Sequence, residues 1–464
     1  MRDWSDRRVL VVGLGESGYA AAKALLELGA NVSVVDCSGE PSCAGRLDEL
    51  VNGGADVKLG VSLPDDIETY DLLVASPGVP DCAEVLEEAR RGGVKVISEI
   101  ELGYGLIPNT MVAVTGTNGK TTTTRLISNI LDRPERRALE CGNIGKPLVG
   151  LYGKAGREDI LVVEVSSFQL QNIDRFHAHV AVVLNIAPDH FDWHRDFEEY
   201  RQAKMRLVEN QGPEDFLFFN IDDDFCRDLA GRTSARAIGF GTLKEPARGV
   251  WVEDGWIVAG GPLGSACRIM PLDEIMLKGM HNVLNVMAAA GPALVMGEGP
   301  ESIRKAVGGF EGLEHRMEFV RSFMEVSFYN DSKATNPHAA LSAVGSFDEP
   351  LVVIMGGRNK GLVFDGLASE LCRRFDTGQL KGVVLIGECA REMQKNIYDA
   401  CEPVARDHVV IAEDMDGSVR KAYQLCNGRG VVLLSPASAS FDMFDDYGHR
   451  GRVFKDSVNK LEEK

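Results

Sequence analysis

At 464 residues with a formal net charge of −19, the chain is long enough for two to four domains with apolar cores of their own. That charge has the wrong sign for broad contact with a phosphate backbone, so no nucleic-acid partner is expected. No apolar run approaches membrane-spanning length, and the polar start runs straight into a strand-like RRVLVV without the layout of a secretory signal, so no membrane partner is expected either. The cysteines, scattered from Cys37 to Cys426 without C-x-x-C or zinc spacing, read as reduced thiols in a cytoplasmic protein, most of them small core residues.

Short Val, Ile and Leu runs followed by glycine-rich turns and helical stretches predict β and α elements alternating around parallel sheets. A first set predicts strands at 9–12, 32–35, 72–75 and 94–97, with Pro77, Gly78 and Pro80 punctuating the exit of the third. A second, larger set opens with MVAVTG at 111–116, continues through ILVVEV, VAVVLNI and FLFFN, and ends near Gly312. A third opens with 326–331 and proceeds through LVVIMGG, GVVLIG and VVLLSPAS, like a second mononucleotide-type domain. Low-complexity tracts and short-period repeats are absent, which excludes solenoids and disordered arms.

Two glycine loops sit where phosphates bind. Gly13-Leu14-Gly15-Glu16-Ser17-Gly18 follows a predicted strand, precedes a helical stretch, and is followed by a second strand ending at Asp36. This is the setting of a dinucleotide fingerprint, with Asp36 available to a ribose or base, although a tight turn that binds nothing has the same pattern. The second loop, Thr115-Gly116-Thr117-Asn118-Gly119-Lys120-Thr121-Thr122, lies between a strand and a helix and is more specific. Its backbone N–H groups can surround phosphates, Lys120 adds a point charge, and the Thr121 hydroxyl can ligate Mg²⁺. Val114 stands where the ordinary P-loop has glycine, so the loop is a shortened variant.

Glu164 ends the strand ILVVEV, and His190 follows the strand VAVVLNI. Both fall at carboxyl ends of strands, the edge where ligands collect and where the Lys120 loop must lie. A carboxylate and an imidazole there suit Mg²⁺ or Mn²⁺ beside a triphosphate; each alone also reads as a helix-capping carboxylate or a hydrogen-bonded histidine. Lys204 falls in a predicted helix over 197–210, where a lysine most often belongs to a solvated face.

Taken in order, GLGESG, VASPGVP, VTGTNGKTTTT, GNIGKPL, EVSSFQL, NIAPDHFDWH, YRQAKMRLVEN, KGMHNVLN, GLEHRMEFV, NDSKATNP, GGRNKG and LLSPASASFD span nearly the whole chain. The set resembles the Mur ligase family, and EVSSFQL with NDSKATN is similar to its D-glutamate-adding branch. The resemblance implies an α/β fold of three domains: a Rossmann-like one at 1–98 for the UDP-linked substrate, a central P-loop-like ATPase domain with a mostly parallel sheet at 99–312, and a Rossmann-like one at 313–464 for the amino acid. It implies a monomer that joins UDP-N-acetylmuramoyl-L-alanine to D-glutamate with ATP and two Mg²⁺ ions.

By the same likeness Gly15, Glu16, Ser17, Asp36, Ser76, Asn143 and His190 surround the UDP substrate. Gly116, Thr117, Asn118, Gly119, Lys120, Thr121 and Thr122 hold ATP phosphates, Asn282 and Asn285 contact adenine, and Arg316 and Asp331 hold phosphate and ribose. Thr121, Glu164, His190 and a carbamylated Lys204 are the implied metal ligands, and Lys120, Glu164, His190 and Lys204 the implied catalytic group. Lys333, Thr335, Lys360, Ser440, Phe441 and Tyr447 fall where D-glutamate binds. Cys37 and Ser38 depart from a Thr-Arg pair of some relatives, Tyr447 replaces a common phenylalanine, and SPASAS replaces SPACAS. A dehydrogenase would leave the Lys120 loop without a task, a motor ATPase would form no amide, and a non-catalytic binding homologue should have lost Lys120, Glu164 or His190.

Overall fold

Apolar runs buried on both faces become the inner strands of three sheets in a computed structural model that describes residues 4–40, 44–190, 193–243, 248–401 and 407–462. The first sheet contains β1 (Arg8–Val12), β2 (Asn31–Asp36), β3 (Asp56–Leu59), β4 (Leu72–Ala75) and β5 (Lys95–Ser98). All are parallel, in the order β3-β2-β1-β4-β5. The order reverses between β1 and β4, so a crevice opens outside their carboxyl ends, between the glycine loop after β1 and the Pro77–Pro80 turn after β4. Sequence patterning misses β3, a polar edge strand with alternating exposure and no apolar run.

The second sheet holds β6 (Met111–Thr115), β7 (Ala138–Gly142), β8 (Ile160–Glu164), β9 (Val180–Val183), β10 (Phe216–Asn220), β11 (Arg236–Gly241), β12 (Arg248–Glu253), β13 (Trp256–Gly261) and β14 (Gly264–Pro271). Its order is β14-β13-β12-β11-β10-β9-β6-β8-β7. β6 lies between β8 and β9, with Val114 beside Glu164 and Thr115 beside Val183, so the loop after β6 emerges at the level of Glu164. From β12 onward the chain returns as an antiparallel meander, in contrast to the parallel pattern that the sequence predicts.

The third sheet contains β15 (Glu318–Phe323), β16 (Glu325–Asn330), β17 (Leu351–Gly356), β18 (Leu380–Ile386), β19 (Val409–Ile411) and β20 (Arg429–Leu434), ordered β15-β16-β20-β17-β18-β19. It opens one strand earlier than expected, because the half-exposed β15 pairs antiparallel with β16 and carries no continuous apolar run. The expected helix over 197–210 runs as an α-helix over Phe197–Met205 and finishes as a 3₁₀ turn over Arg206–Val208.

The chain divides into two compact units. One comprises Met1–Ile186, Glu198–Leu272 and Leu284–Val307, with the first two sheets; the other comprises Ala187–Phe197, Asp273–Val283 and Gly308–Lys464, with the third. Among the described residues no helix is long and apolar enough to cross a membrane.

Candidate active site

In the first unit the turn after β6 is braced from several sides. Gly119 adopts the left-handed region at φ +86°, and a Cβ there would sit 2.4 Å from Asn285 Oδ1. Thr117 N donates to Asn185 O at 3.0 Å and Asn118 N to Asn185 Oδ1 at 2.9 Å, while Thr117 Oγ1 and the Tyr200 hydroxyl lie 2.9 Å apart. These bonds fix an open loop of N–H groups at the start of the helix Lys120–Leu131, whose dipole favours an anion.

Lys120 curls back over this loop, donating from Nζ to Gly116 O at 2.8 Å and to Thr117 O at 2.9 Å. Lys204, with only 1 % of its surface exposed, also donates from Nζ to Gly116 O at 2.8 Å. Two ammonium groups therefore meet on one carbonyl oxygen, at most two such bonds apart. At ~5 Å and an effective dielectric of ~20 they repel by about 3 kcal/mol. An anion in the loop, or conversion of one lysine to an anion, relieves that repulsion.

Glu164, at the end of β8, accepts from Asn143 Nδ2 at 2.8 Å through Oε1, whereas its buried Oε2 has no partner among the described residues. It does not cap the helix that follows, because Ser166 and Gln169 form the capping box of Ser167–Gln171. An orphaned carboxylate oxygen beside the phosphate loop is a donor set into which a hard divalent cation fits.

The crevice in the first unit has a volume of about 570 Å³ and is lined by Gly15, Glu16, Ser17, Asp36, Ser76 and Asn143, six of the residues singled out in the sequence. Asp36 accepts from Leu14 N at 2.6 Å and from Ser38 N at 2.7 Å, and Ser76 Oγ donates to Gly13 O at 2.7 Å, so both side chains also hold the glycine turn. Gly18 is required by close approach: a Cβ there would lie 1.9 Å from Gly13 O. Gln169, which the sequence alone does not single out, lines the same crevice and keeps a buried Nε2 without a partner among the described residues.

The second unit contains His190, in the left-handed region at φ +57°. Its backbone N donates to Asp189 Oδ1 at 2.8 Å, and Asp189 Oδ2 accepts from Asn336 Nδ2 at 2.9 Å. A non-glycine residue held in that conformation by its surroundings is common where function dictates geometry. Asn282 also belongs to this unit; it and Asn285 stand three residues apart on the helix Met280–Val295 and so share one face.

At the carboxyl edge of the third sheet the loops after β16 and β20 are tied together by Arg450. Its guanidinium donates to Ser332 O at 2.8 Å, Ser332 Oγ at 3.0 Å and Ser438 O at 3.0 Å. Lys333 Nζ lies 3.8 Å from the centroid of the Tyr447 ring and Lys360 Nζ 5.7 Å from that of Phe441. Ser440 is buried between these loops, while Phe441 and Tyr447 are exposed, and Thr335 N donates to Lys333 O at 2.8 Å. Asp331 accepts from Met317 N and Ser435 Oγ, each at 3.2 Å. Burial pushes its carboxyl up to about 7, against the lowering effect of those bonds and of Arg316. Glu314, His315 and Glu318 form the one cluster with metal-ligand spacing among the described residues, but Lys455 Nζ already donates to both carboxylates.

A glycine-lysine-threonine turn between strand and helix is the arrangement by which α/β proteins cradle nucleotide phosphates, and here Lys120, Lys204 and Glu164 gather beside it. The Mur ligase MurD-like N-terminal domain matches residues 7–98, the Mur ligase middle domain residues 114–293, and the Mur ligase glutamate ligase domain residues 315–438. The chain belongs to the Mur ligase family. It is 40% identical to a UDP-N-acetylmuramoylalanine--D-glutamate ligase of Koribacter versatilis, over 99% of both chains. It is 37% identical to the protein of that name from Clostridioides difficile, over 99% of this chain and 100% of the relative. Among solved structures, MurF from Acinetobacter baumannii shares the fold at a TM-score of 0.61 and 18% identity, covering 98% of this chain and 93% of that one.

Proposed function

We propose that the chain joins the amine of D-glutamate to the alanyl carboxylate of UDP-N-acetylmuramoyl-L-alanine, an amide-forming step in peptidoglycan precursor synthesis, with ATP split to ADP and phosphate. The observation that carries the reading is the convergence of Lys120 and Lys204 on Gly116 O beside Glu164.

A carboxylate does not condense with an amine in neutral water, so it must first become an acylating agent. In this proposal the alanyl carboxylate attacks the γ-phosphate of ATP, giving an acyl phosphate and ADP. The amine of D-glutamate then attacks the acyl carbon, expels phosphate and loses a proton. The first step brings an anion onto a polyanion. At ~4 Å and an effective dielectric of ~20 that costs about 4 kcal/mol, roughly a thousandfold in rate. Lys120 and the N–H groups of residues 116–122 offset it by holding the phosphates as charge moves onto them.

Thr121, Glu164, His190 and Lys204 are the residues proposed to hold two Mg²⁺ ions, which when bound supply further positive charge against the phosphates. Lys204 serves that role as a carbamate, formed when its neutral amine adds CO₂ and releases a proton. This replaces one of two repelling cations by an anion. Asn282 and Asn285 take the adenine, and Arg316 and Asp331 the phosphate and ribose. Gly15, Glu16, Ser17, Asp36, Ser76 and Asn143 take the UDP substrate with His190. Lys333, Thr335, Lys360, Ser440, Phe441 and Tyr447 hold D-glutamate, the lysines pairing with its carboxylates so that its amine is left to react. The proposed domains are 1–98, 99–312 and 313–464, in a cytoplasmic monomer.

The test is mass spectrometry of products from ATP, Mg²⁺, UDP-N-acetylmuramoyl-L-alanine and a panel of amino acids that includes both glutamate enantiomers. D-Glutamate alone should give the amide, with ADP in equal amount. An amide with a different amino acid, or ADP release that does not need the nucleotide sugar, overturns the proposal.

A further inference from the structure

We propose that Cys372 and Cys401 are a redox modification site, a dithiol that a small-molecule disulfide converts reversibly to an intrachain disulfide. Cys372 lies on the helix Asp365–Asp376, and Cys401 is the last residue of the helix Ala390–Cys401. Both helices pack on the same side of the third sheet, where Cys401 belongs to an apolar cluster and Cys372 packs against it. Cys372 Sγ donates to Ala400 O at 3.2 Å, which seats it on the final turn of the second helix, next to Cys401 in the chain.

The two differ in access, which sets the order of events. Cys372 is partly exposed, whereas Cys401 is 5% exposed and its thiol is pushed up to about 12 by burial, with the Cys372 thiol adding to the effect. Cys372 is therefore the residue that meets an oxidant. Its thiolate attacks a disulfide RSSR, forming the mixed disulfide Cys372-S-S-R and releasing RS⁻, which takes up a proton. Cys401 then loses its proton and attacks Cys372 Sγ, expelling the second RS⁻. Two protein thiols are oxidised by two electrons, and RSSR is reduced to two RSH. In a reducing compartment the bridge reopens by the reverse exchange, the usual behaviour of a redox-sensing pair.

The experiment titrates the full-length chain with glutathione disulfide and glutathione at graded ratios, quenches by acid, and maps peptides by mass spectrometry. A Cys372–Cys401 linked peptide should appear and vanish on adding dithiothreitol. The oxidised chain should melt higher by roughly 5–10 °C, because the bridge closes the loop carrying β18. Cys401→Ser should accumulate the glutathione adduct at Cys372, and Cys372→Ser should leave Cys401 unmodified. The proposal is overturned if the wild-type chain yields adducts at the exposed Cys37 and Cys82 but no Cys372–Cys401 peptide at any ratio. It is equally overturned if Cys401→Ser, folded by its melting curve, captures no adduct at Cys372.

Discussion

Substituting Gly119 by alanine tests how far the phosphate loop depends on one backbone position. The residue sits at φ +86° and ψ −15°, a conformation that costs an L-residue with a Cβ about 1–2 kcal/mol. The added Cβ would also meet Asn285 Oδ1 at 2.4 Å and Leu184 Cδ1 at 3.2 Å. Restoring ordinary contact moves the loop or Asn285 by roughly 1 Å, and a displacement of that size near reacting groups costs on the order of a hundredfold in rate. Gly119→Ala should therefore lower kcat/KM for ATP roughly 100-fold. Binding of the UDP substrate, measured by calorimetry, should be unchanged, because Gly119 does not line the 570 Å³ crevice. Adding Asn285→Ala removes the clash but not the φ strain, so in denaturant unfolding the double variant should recover part of the stability lost, leaving about 1–2 kcal/mol. Turnover of Gly119→Ala within about threefold of the parent, with unchanged ATP dependence, would refute the reasoning.

Lys204→Met keeps most of the buried volume but removes the nitrogen; a stopped assay for ADP should show activity reduced by on the order of a thousandfold with a near-parental melting curve, and near-normal turnover excludes the carbamate role. Gly18→Ala drives a Cβ to 1.9 Å from Gly13 O and 2.7 Å from Ser76 Oγ, so KM for the UDP substrate should rise by roughly 10- to 100-fold while KM for ATP stays put, as initial-rate kinetics will show. Burial lifts the Glu99 carboxyl to about 7, with Oε1 accepting from Val149 N at 2.6 Å and Oε2 without a partner among the described residues. The folded state binds that proton more tightly than the unfolded chain, so its stabilising contribution is complete below about pH 4 and lost as pH passes about 7, a difference of about 3 kcal/mol. Glu99→Gln should flatten that fall in unfolding curves between pH 5 and about 8; an unchanged pH slope counts against a buried, protonated Glu99.

The sequence displays what depends on short stretches of chain. Buried parallel strands such as β6, β8 and β17 are continuous apolar runs, and the two phosphate-type loops announce themselves by glycines whose conformation or crowding no other residue tolerates. Edge elements were harder to read. β3 alternates in exposure and β15 is half-exposed, neither with a continuous hydrophobic run, and the antiparallel pairing of β12–β14 is set by contacts between strands that no single stretch of sequence displays. The supporting groups of the site were hidden for a different reason. Lys204 is buried because its helix carries it to Gly116, 88 residues away in sequence. Arg450 carries no motif that marks it, yet it spans 118 residues to reach Ser332. Asn185 and Tyr200 brace the Lys120 loop from 67 and 83 residues away. Periodicity reports which face of a helix is apolar, not which polar group will be called into the interior to satisfy a distant carbonyl.

Oxygen-18 placed in the alanyl carboxylate of UDP-N-acetylmuramoyl-L-alanine follows the proposed bond changes directly. During a single turnover with ATP, Mg²⁺ and D-glutamate, mass spectrometry of the released phosphate should find an oxygen-18 atom transferred from the carboxylate. Amide product accompanied by phosphate that carries none of the label would contradict activation through an acyl phosphate.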